Sequence, residues 1–166
     1  ITIWPSRTTG FSVAPPTAGF SSLMSVGNPA TGQARFLHTK YQNLAVGLYG
    51  SDLQTNTSLD NAGMKLVTWV YDPNGGNGNS TLYVDGAPVA TLNHSGTTNT
   101  TGTTGNIAYA PQAFGPGGNT TNYLKGTLDE VRIATTARSR QWCETEFANQ
   151  SSPQTFASVS AEMPVP

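Results

Sequence analysis

Few acidic side chains stand close enough in the chain to work as a pair. Of the nine Asp and Glu residues in 166, the nearest candidates are Asp129 with Glu130 and Glu144 with Glu146. Glycoside hydrolysis needs two carboxyl groups facing one bond at a fixed separation. Adjacent residues of a strand point to opposite faces unless a bulge intervenes, so Asp129 and Glu130 diverge. Glu144 and Glu146, two apart on a helix, diverge as well. Solvent-facing or structural roles are expected for all four. His38 and His94 have no nucleophile motif around them and no ligand partner at metal-binding spacing, which leaves ordinary surface or strand roles. The run Asp72-Pro73-Asn74-Gly75-Gly76-Asn77-Gly78-Asn79 is rich in oxygens but lacks the ligand order of a calcium loop. It reads as a hairpin loop, since Asn and Gly form turns readily. Cys143, the one cysteine, is either a small buried hydrophobe or half of an intermolecular disulfide.

What remains is contact chemistry. Sugars stack on aromatic faces while amide and backbone groups bond their hydroxyls, and a concave mixture of these makes a binding site. Tyr109, Phe114, Asn119 and Tyr123 form such a set along two Gly- and Asn-rich loop borders. Burial of Tyr109 and Tyr123 within their strands is the competing expectation, because strand aromatics usually pack inward. The formal net charge is -1 with 10% charged residues. No basic stripe is available for phosphates, so nucleic-acid binding loses its main electrostatic term. Apolar residues come in short runs, and no segment is long enough to span a membrane.

These groups must be positioned by strands. Thr81 to Val84 and Val89 to Leu92 flank Asp85-Gly86, a pair that tolerates positive φ and marks a tight hairpin. Strands are expected at Ile1 to Trp4 (broken by Pro5), Phe11 to Ala14, Phe20 to Val26, Ala34 to Thr39, Asn43 to Tyr49, Met64 to Tyr71, Asn106 to Tyr109 and Tyr123 to Ile133. Ser51 to Gly63 is polar and reads as a surface loop, as does His94 to Gly105. Ser139 to Asn149 is the one substantial helix, with Ser139 as its cap. Pro153 ends it, and Thr155 to Ser160 returns to strand-like alternation. A chain of 166 residues suits a single domain spanning 1–166. The opening Ile1-Thr2-Ile3-Trp4 is no signal peptide, so a processed chain or a fragment is expected.

Leu82-Tyr83-Val84-Asp85-Gly86 and Gly126-Thr127-Leu128-Asp129-Glu130-Val131-Arg132-Ile133 carry a resemblance to bacterial LamG-like domains of the concanavalin A-like lectin/glucanase superfamily. It extends from about Phe20 to Ser160, and residues 135–166 are similar to the extension that follows such domains in large bacterial surface proteins. The resemblance implies an all-β, two-sheet antiparallel jelly-roll sandwich with one short C-terminal helix. It implies work at the extracellular or cell surface of a prokaryote, as a non-catalytic module for adhesion or glycan recognition with a surface glycan or protein as partner. The Glu-x-Asp-x-x-Glu motif of the superfamily's glucanases is absent. Some relatives hold calcium near the residue matching Asp129, so Asp129 is the one metal candidate; no other cofactor is implied. Met64-Lys65-Leu66 stands where relatives often carry Trp and His. Relatives usually open with a strand ahead of the one that Ile1-Thr2-Ile3-Trp4 represents, which implies an open sheet edge. Such an edge suits self-association through strand complementation, and hence the alternative of a surface-filament subunit.

Overall fold

The computed structural model describes residues 2–6, 20–28, 30, 33–48, 51–59, 63–74, 78–94, 104–110, 122–124 and 126–156. Twelve strands and two helices lie in these segments. They are β1 (Thr2–Ser6), β2 (Phe20–Gly27), β3 (Ala34–Lys40), β4 (Asn43–Gly47), β5 (Asp52–Ser58), β6 (Val67–Asp72), β7 (Asn79–Val84), β8 (Ala87–Asn93), β9 (Gly105–Ile107), β10 (Tyr109–Ala110), β11 (Asn122–Tyr123) and β12 (Thr127–Arg132), then α1 (Arg140–Ser151) and α2 (Pro153–Phe156). The first sheet has the order β12-β1-β6-β7-β8 and the second β5-β4-β3-β2-β9, with β10-β11 as a separate ribbon. The expected antiparallel sandwich is present.

Apolar residues of both sheets meet in one core. Leu23, Met24, Leu37, Leu44 and Val46 of the second sheet pack with Val67, Trp69 and Leu82 of the first. Each fully buried leucine contributes roughly 1.5–3 kcal/mol relative to exposure. The hairpin between β7 and β8 turns at Asp85 (φ 52) and Gly86 (φ 76), two positive values in succession as a type I′ turn requires. Asp85 also ties this turn to Met64-Lys65-Leu66. Its carboxylate accepts from Lys65 Nζ at 2.6 Å and Leu66 N at 3.1 Å, while its N–H donates to Leu66 O at 2.8 Å. The β3–β4 turn has the same geometry at Tyr41 (φ 50) and Gln42 (φ 77), with neither glycine nor asparagine to announce it.

The outer face of the first sheet carries the helix. Thr68 and Tyr83 are cross-strand partners on the face opposite Trp69 and Leu82. The backbone of α1 passes so near Gly86 that a Cβ there would lie 3.1 Å from Glu144 Cα. Ser139 caps α1, its hydroxyl accepting from Trp142 N at 3.2 Å. Cys143 is completely buried beneath the helix, as a small hydrophobe should be.

Several expectations are corrected. The polar stretch after Ser51 contains a strand, β5, held by its ladder to β4 and by Thr55, whose hydroxyl donates to Leu44 O at 2.9 Å. Main-chain pairing does there what apolar content does elsewhere. Strand β1 runs through Pro5 rather than stopping before it: Pro5 pairs with Leu128 of β12, while the ladder to β6 ends at Ile3. A proline is tolerated where its strand has one neighbour. The single strands expected at 106–109 and 123–133 are each divided. Ala108 adopts φ 59, donates to Leu23 O and accepts from Leu124 N, both at 2.9 Å, so the chain leaves one ladder there and begins the ribbon. At the C-terminal end, Thr155 and Phe156 lie in a second helical turn, α2, instead of a strand. The carbonyl of Ser152 accepts from both of their N–H groups at 3.0 Å, and Pro153 occupies the first helical position, where no N–H is needed. The expected strand at 11–14 and the residues 157–160 lie outside the described segments.

Candidate carbohydrate-binding face and inter-sheet cleft

The outer face of the second sheet is built by alternation. Ser22 pairs with His38 and Ser25 with Phe36; Phe36 in turn pairs with Gly47 and His38 with Ala45; and Gly47 and Ala45 pair with Asp52 and Gln54. Cross-strand partners share a face, so a floor of small residues carries one aromatic ring, one imidazole and a carboxylate. The rings of Phe36 and His38 stack at 4.7 Å, 18° from parallel. Gly47 is required here, because a Cβ would fall 2.6 Å from the Phe36 ring. Burial, aided by the nearby Lys40 charge, lowers the His38 pKa to about 3, and the imidazole is neutral at ordinary pH. Burial also raises the Asp52 carboxyl, with Lys40 opposing.

The ribbon runs beside β2, where Ala108 N donates to Leu23 O. Hydroxyls of Ser22 and Ser25 donate to Tyr109 O at 3.2 and 2.9 Å, and that of Ser21 donates to Tyr123 O at 3.2 Å. Tyr109 and Tyr123 are register partners, their rings 5.3 Å apart. Tyr109 is half-buried and Tyr123 is 63% exposed. The chain thus brings together two of the four residues expected to bind ligand; Phe114 and Asn119 lie outside the described segments.

The carboxylates do not converge. Glu130 and Glu146 both engage Arg132, and Glu144 engages Arg140 at 2.7 Å. The alternation argument for Asp129 and Glu130 is superseded by a bulge: Trp4 opposes Asp129 and Thr2 opposes Arg132, with Glu130 at φ 48 taking up the extra residue. Asp129 is exposed on β12, and no group of three His, Cys, Asp or Glu side chains forms anywhere among the described residues.

His94 is no rim residue. Its Nε2 lies 2.5 Å from Ser80 Oγ, which accepts the Trp69 indole N–H at 2.8 Å. Ser80 Oγ thus ties the indole to the imidazole, and the other ring nitrogen lies 3.3 Å from Ser51 Oγ. Ser80 is fully buried and His94 is 2% exposed, so this serine–histidine pair joins the sheets beyond the reach of a substrate.

A cleft of about 750 Å³ opens elsewhere, beside β6. Met24, Trp69 and Tyr71 line its inner side, and residues 132–138 with Trp142 its outer side. The Arg35 guanidinium lies 4.5 Å above the Tyr71 ring, and that of Arg138 lies 5.0 Å from the Trp142 ring. Sequence reasoning passed over both this cleft and the outer-face cluster. Phe36, His38 and Lys40 alternate visibly along β3, but Asp52 stood in what read as a loop, and the cleft is made by residues distant in the chain.

Residues 8–143 match the family model described as the concanavalin A-like lectin/glucanases superfamily. The chain belongs to this superfamily. A search of curated proteins finds no match by sequence. Among solved structures, the CBM40 of the Ruminococcus gnavus IT-sialidase, bound to alpha2,3 sialyllactose, superposes with a TM-score of 0.63 at 16% identity, over 88% of this chain and 80% of that one. Another structure of that CBM40 gives 0.58 at 14% identity with the same coverage. At such identities the likeness shows the fold alone. Among the described residues, no helix is long and apolar enough to cross a membrane.

Proposed function

We propose that this superfamily member is a non-catalytic, extracellular glycan-recognition module of a prokaryotic cell surface, and that its ligand docks on the tyrosine ribbon bordering the outer face of the second sheet. The observation that carries this reading is the Tyr109–Tyr123 pair. Tyr123 is exposed, its ring is within stacking distance of Tyr109, and three serine hydroxyls hold the ribbon's carbonyls. Aromatic faces held in advance bind sugars with little further ordering. The CBM40 bound to sialyllactose supports glycans as the ligand class, and the engagement of Glu130, Glu144 and Glu146 by arginines supports binding without turnover. Adhesion follows if the glycan is borne by another cell. A glycan array that includes sialylated oligosaccharides tests the reading. Binding should be lost in Tyr109→Ala/Tyr123→Ala with folding intact; binding that survives the double substitution, or hydrolysis abolished by removing one carboxylate, refutes it.

A further inference from the structure

The tyrosine ribbon and the strand that supports it are built without charged residues. No Asp, Glu, Lys or Arg occurs from Thr8 to Ala34 or from Gly86 to Leu124, and these stretches contain β2, β9, β10, β11 and the loop that joins β10 to β11. Neutral groups are all that these two stretches can offer a ligand. Strand β3 brings two cations alongside β2, Arg35 opposite Val26 and Lys40 opposite Phe20. Both act elsewhere: the Arg35 guanidinium stacks on Tyr71, and the Lys40 charge bears on the buried His38 and Asp52.

The border does offer neutral donors and acceptors in fixed places. Asn106 of β9 is the register partner of Ser25 in β2. Its Nδ2 donates to Ser25 Oγ at 3.5 Å, and that hydroxyl donates to Tyr109 O at 2.9 Å. Ser25, itself fully buried, thereby links the amide to the ribbon. The Asn106 side chain is half-buried, and its carbonyl and second N–H meet no partner among the described residues; the same holds for the phenol hydroxyls of Tyr109 and Tyr123. An amide with one N–H and one carbonyl uncommitted presents a donor and an acceptor side by side. Two neighbouring sugar hydroxyls complement that arrangement, since each both donates and accepts.

We propose that the ribbon selects an uncharged sugar, and that Asn106 is the residue that reads its hydroxyls beside the tyrosine rings. This rests on the ribbon being the glycan site. A carboxylate or sulfate docked here would give up water without gaining a charged partner, and desolvating an unpaired anion is costly. The charge-assisted bonds that compensate an acidic sugar, roughly twice as strong as neutral ones, have no donor in these stretches. A neutral ring loses far less, because its hydroxyls exchange water for the amide and the phenols while its apolar face covers the exposed Tyr123. In this the chain parts from the CBM40 that is bound to sialyllactose.

An array carrying neutral oligosaccharides beside sialylated, sulfated and uronic-acid ones tests this, followed by titration of the strongest hit into the natural chain and its variants. The expected hits are neutral, with an affinity that does not change between low and high salt, since screening leaves an uncharged ligand alone. Asn106→Ala should weaken the hit about tenfold with near-ultraviolet circular dichroism unchanged, and Asn106→Asp should repeat the loss without removing volume. Lys125, the first cation after the ribbon in sequence, serves as the control for an anion partner, and Lys125→Gln should leave binding intact. Hits confined to acidic glycans, or binding lost in Lys125→Gln, overturn the inference; the ribbon reading stands if Tyr109→Ala/Tyr123→Ala abolishes those same hits. Neutral hits that survive the double substitution refute the ribbon reading instead. Neutral hits indifferent to both Asn106 variants remove Asn106 from the site, and an array without any hit refutes the ribbon reading and this inference together.

Discussion

Acid should weaken this fold through His38, and the size of the effect follows from its burial. The imidazole is 4% exposed, and its pKa in the folded chain is about 3, against an ordinary value of 6.5. Between those two values the unfolded chain binds a proton that the folded chain refuses, so stability rises with pH. The contribution is fully present above 6.5 and is lost as pH falls toward 3. Between pH 7 and pH 5 the loss is about 2 kcal/mol, or roughly 4–8 °C in Tm for a domain of this size. His94, also lowered chiefly by burial and with Arg35 adding to it against the Ser51 hydrogen bond, acts in the same direction. Asp52 has the opposite sign. Its carboxyl is raised by burial, so the folded chain binds more protons there and stability grows as pH falls through its range. That range extends upward from the ordinary 3.8, and because Asp52 is present in both proteins, comparing the natural chain with a His38 variant cancels it. Urea unfolding followed by tryptophan fluorescence, for the natural chain and for His38→Gln, should give a shallower pH slope in the variant, the remainder belonging to His94. Identical slopes would refute the argument that burial keeps His38 neutral.

Ser80→Ala removes the acceptor for the Trp69 indole and the hydrogen-bond partner of His94 Nε2; leaving buried polar atoms unsatisfied should cost about 1–3 kcal/mol, read from urea midpoints. Gly86→Ala adds a Cβ at φ 76, 3.1 Å from the α1 backbone at Glu144, and the left-handed strain alone should lower stability by roughly 1–2 kcal/mol. Ser139→Ala deletes the cap of α1, with an expected loss of about 1 kcal/mol visible as earlier melting of far-ultraviolet helical signal.

The parts legible in the chain were those that local chemistry decides. Asp85-Gly86 announces its turn because few other pairs accept two positive φ values, and Leu44, Val46 and Leu48 show an inward face by their spacing. Ser139 shows a cap by its place before the helix. The segments misread were those held by partners far away. Strand β5 has little apolar content and exists because β4 offers it a ladder. Ala108 breaks a strand because Leu23 O and Leu124 N are waiting for its main-chain groups. The Tyr41-Gln42 turn takes a glycine-like conformation because the β3–β4 register demands it.

The same division holds for the sites. Sequence by itself determined a β-rich chain and the aromatic candidates Tyr109 and Tyr123, since alternation and residue type are properties of neighbours along a chain; the two-sheet sandwich, and the comparison that found no glucanase carboxylate motif, came from the resemblance to a known family. Tertiary structure alone decided that those two rings meet, that His94 joins two sheets and that a cleft opens beside β6. Each of these depends on contacts between residues tens of positions apart, and such distances are set by how whole sheets pack rather than by any local preference.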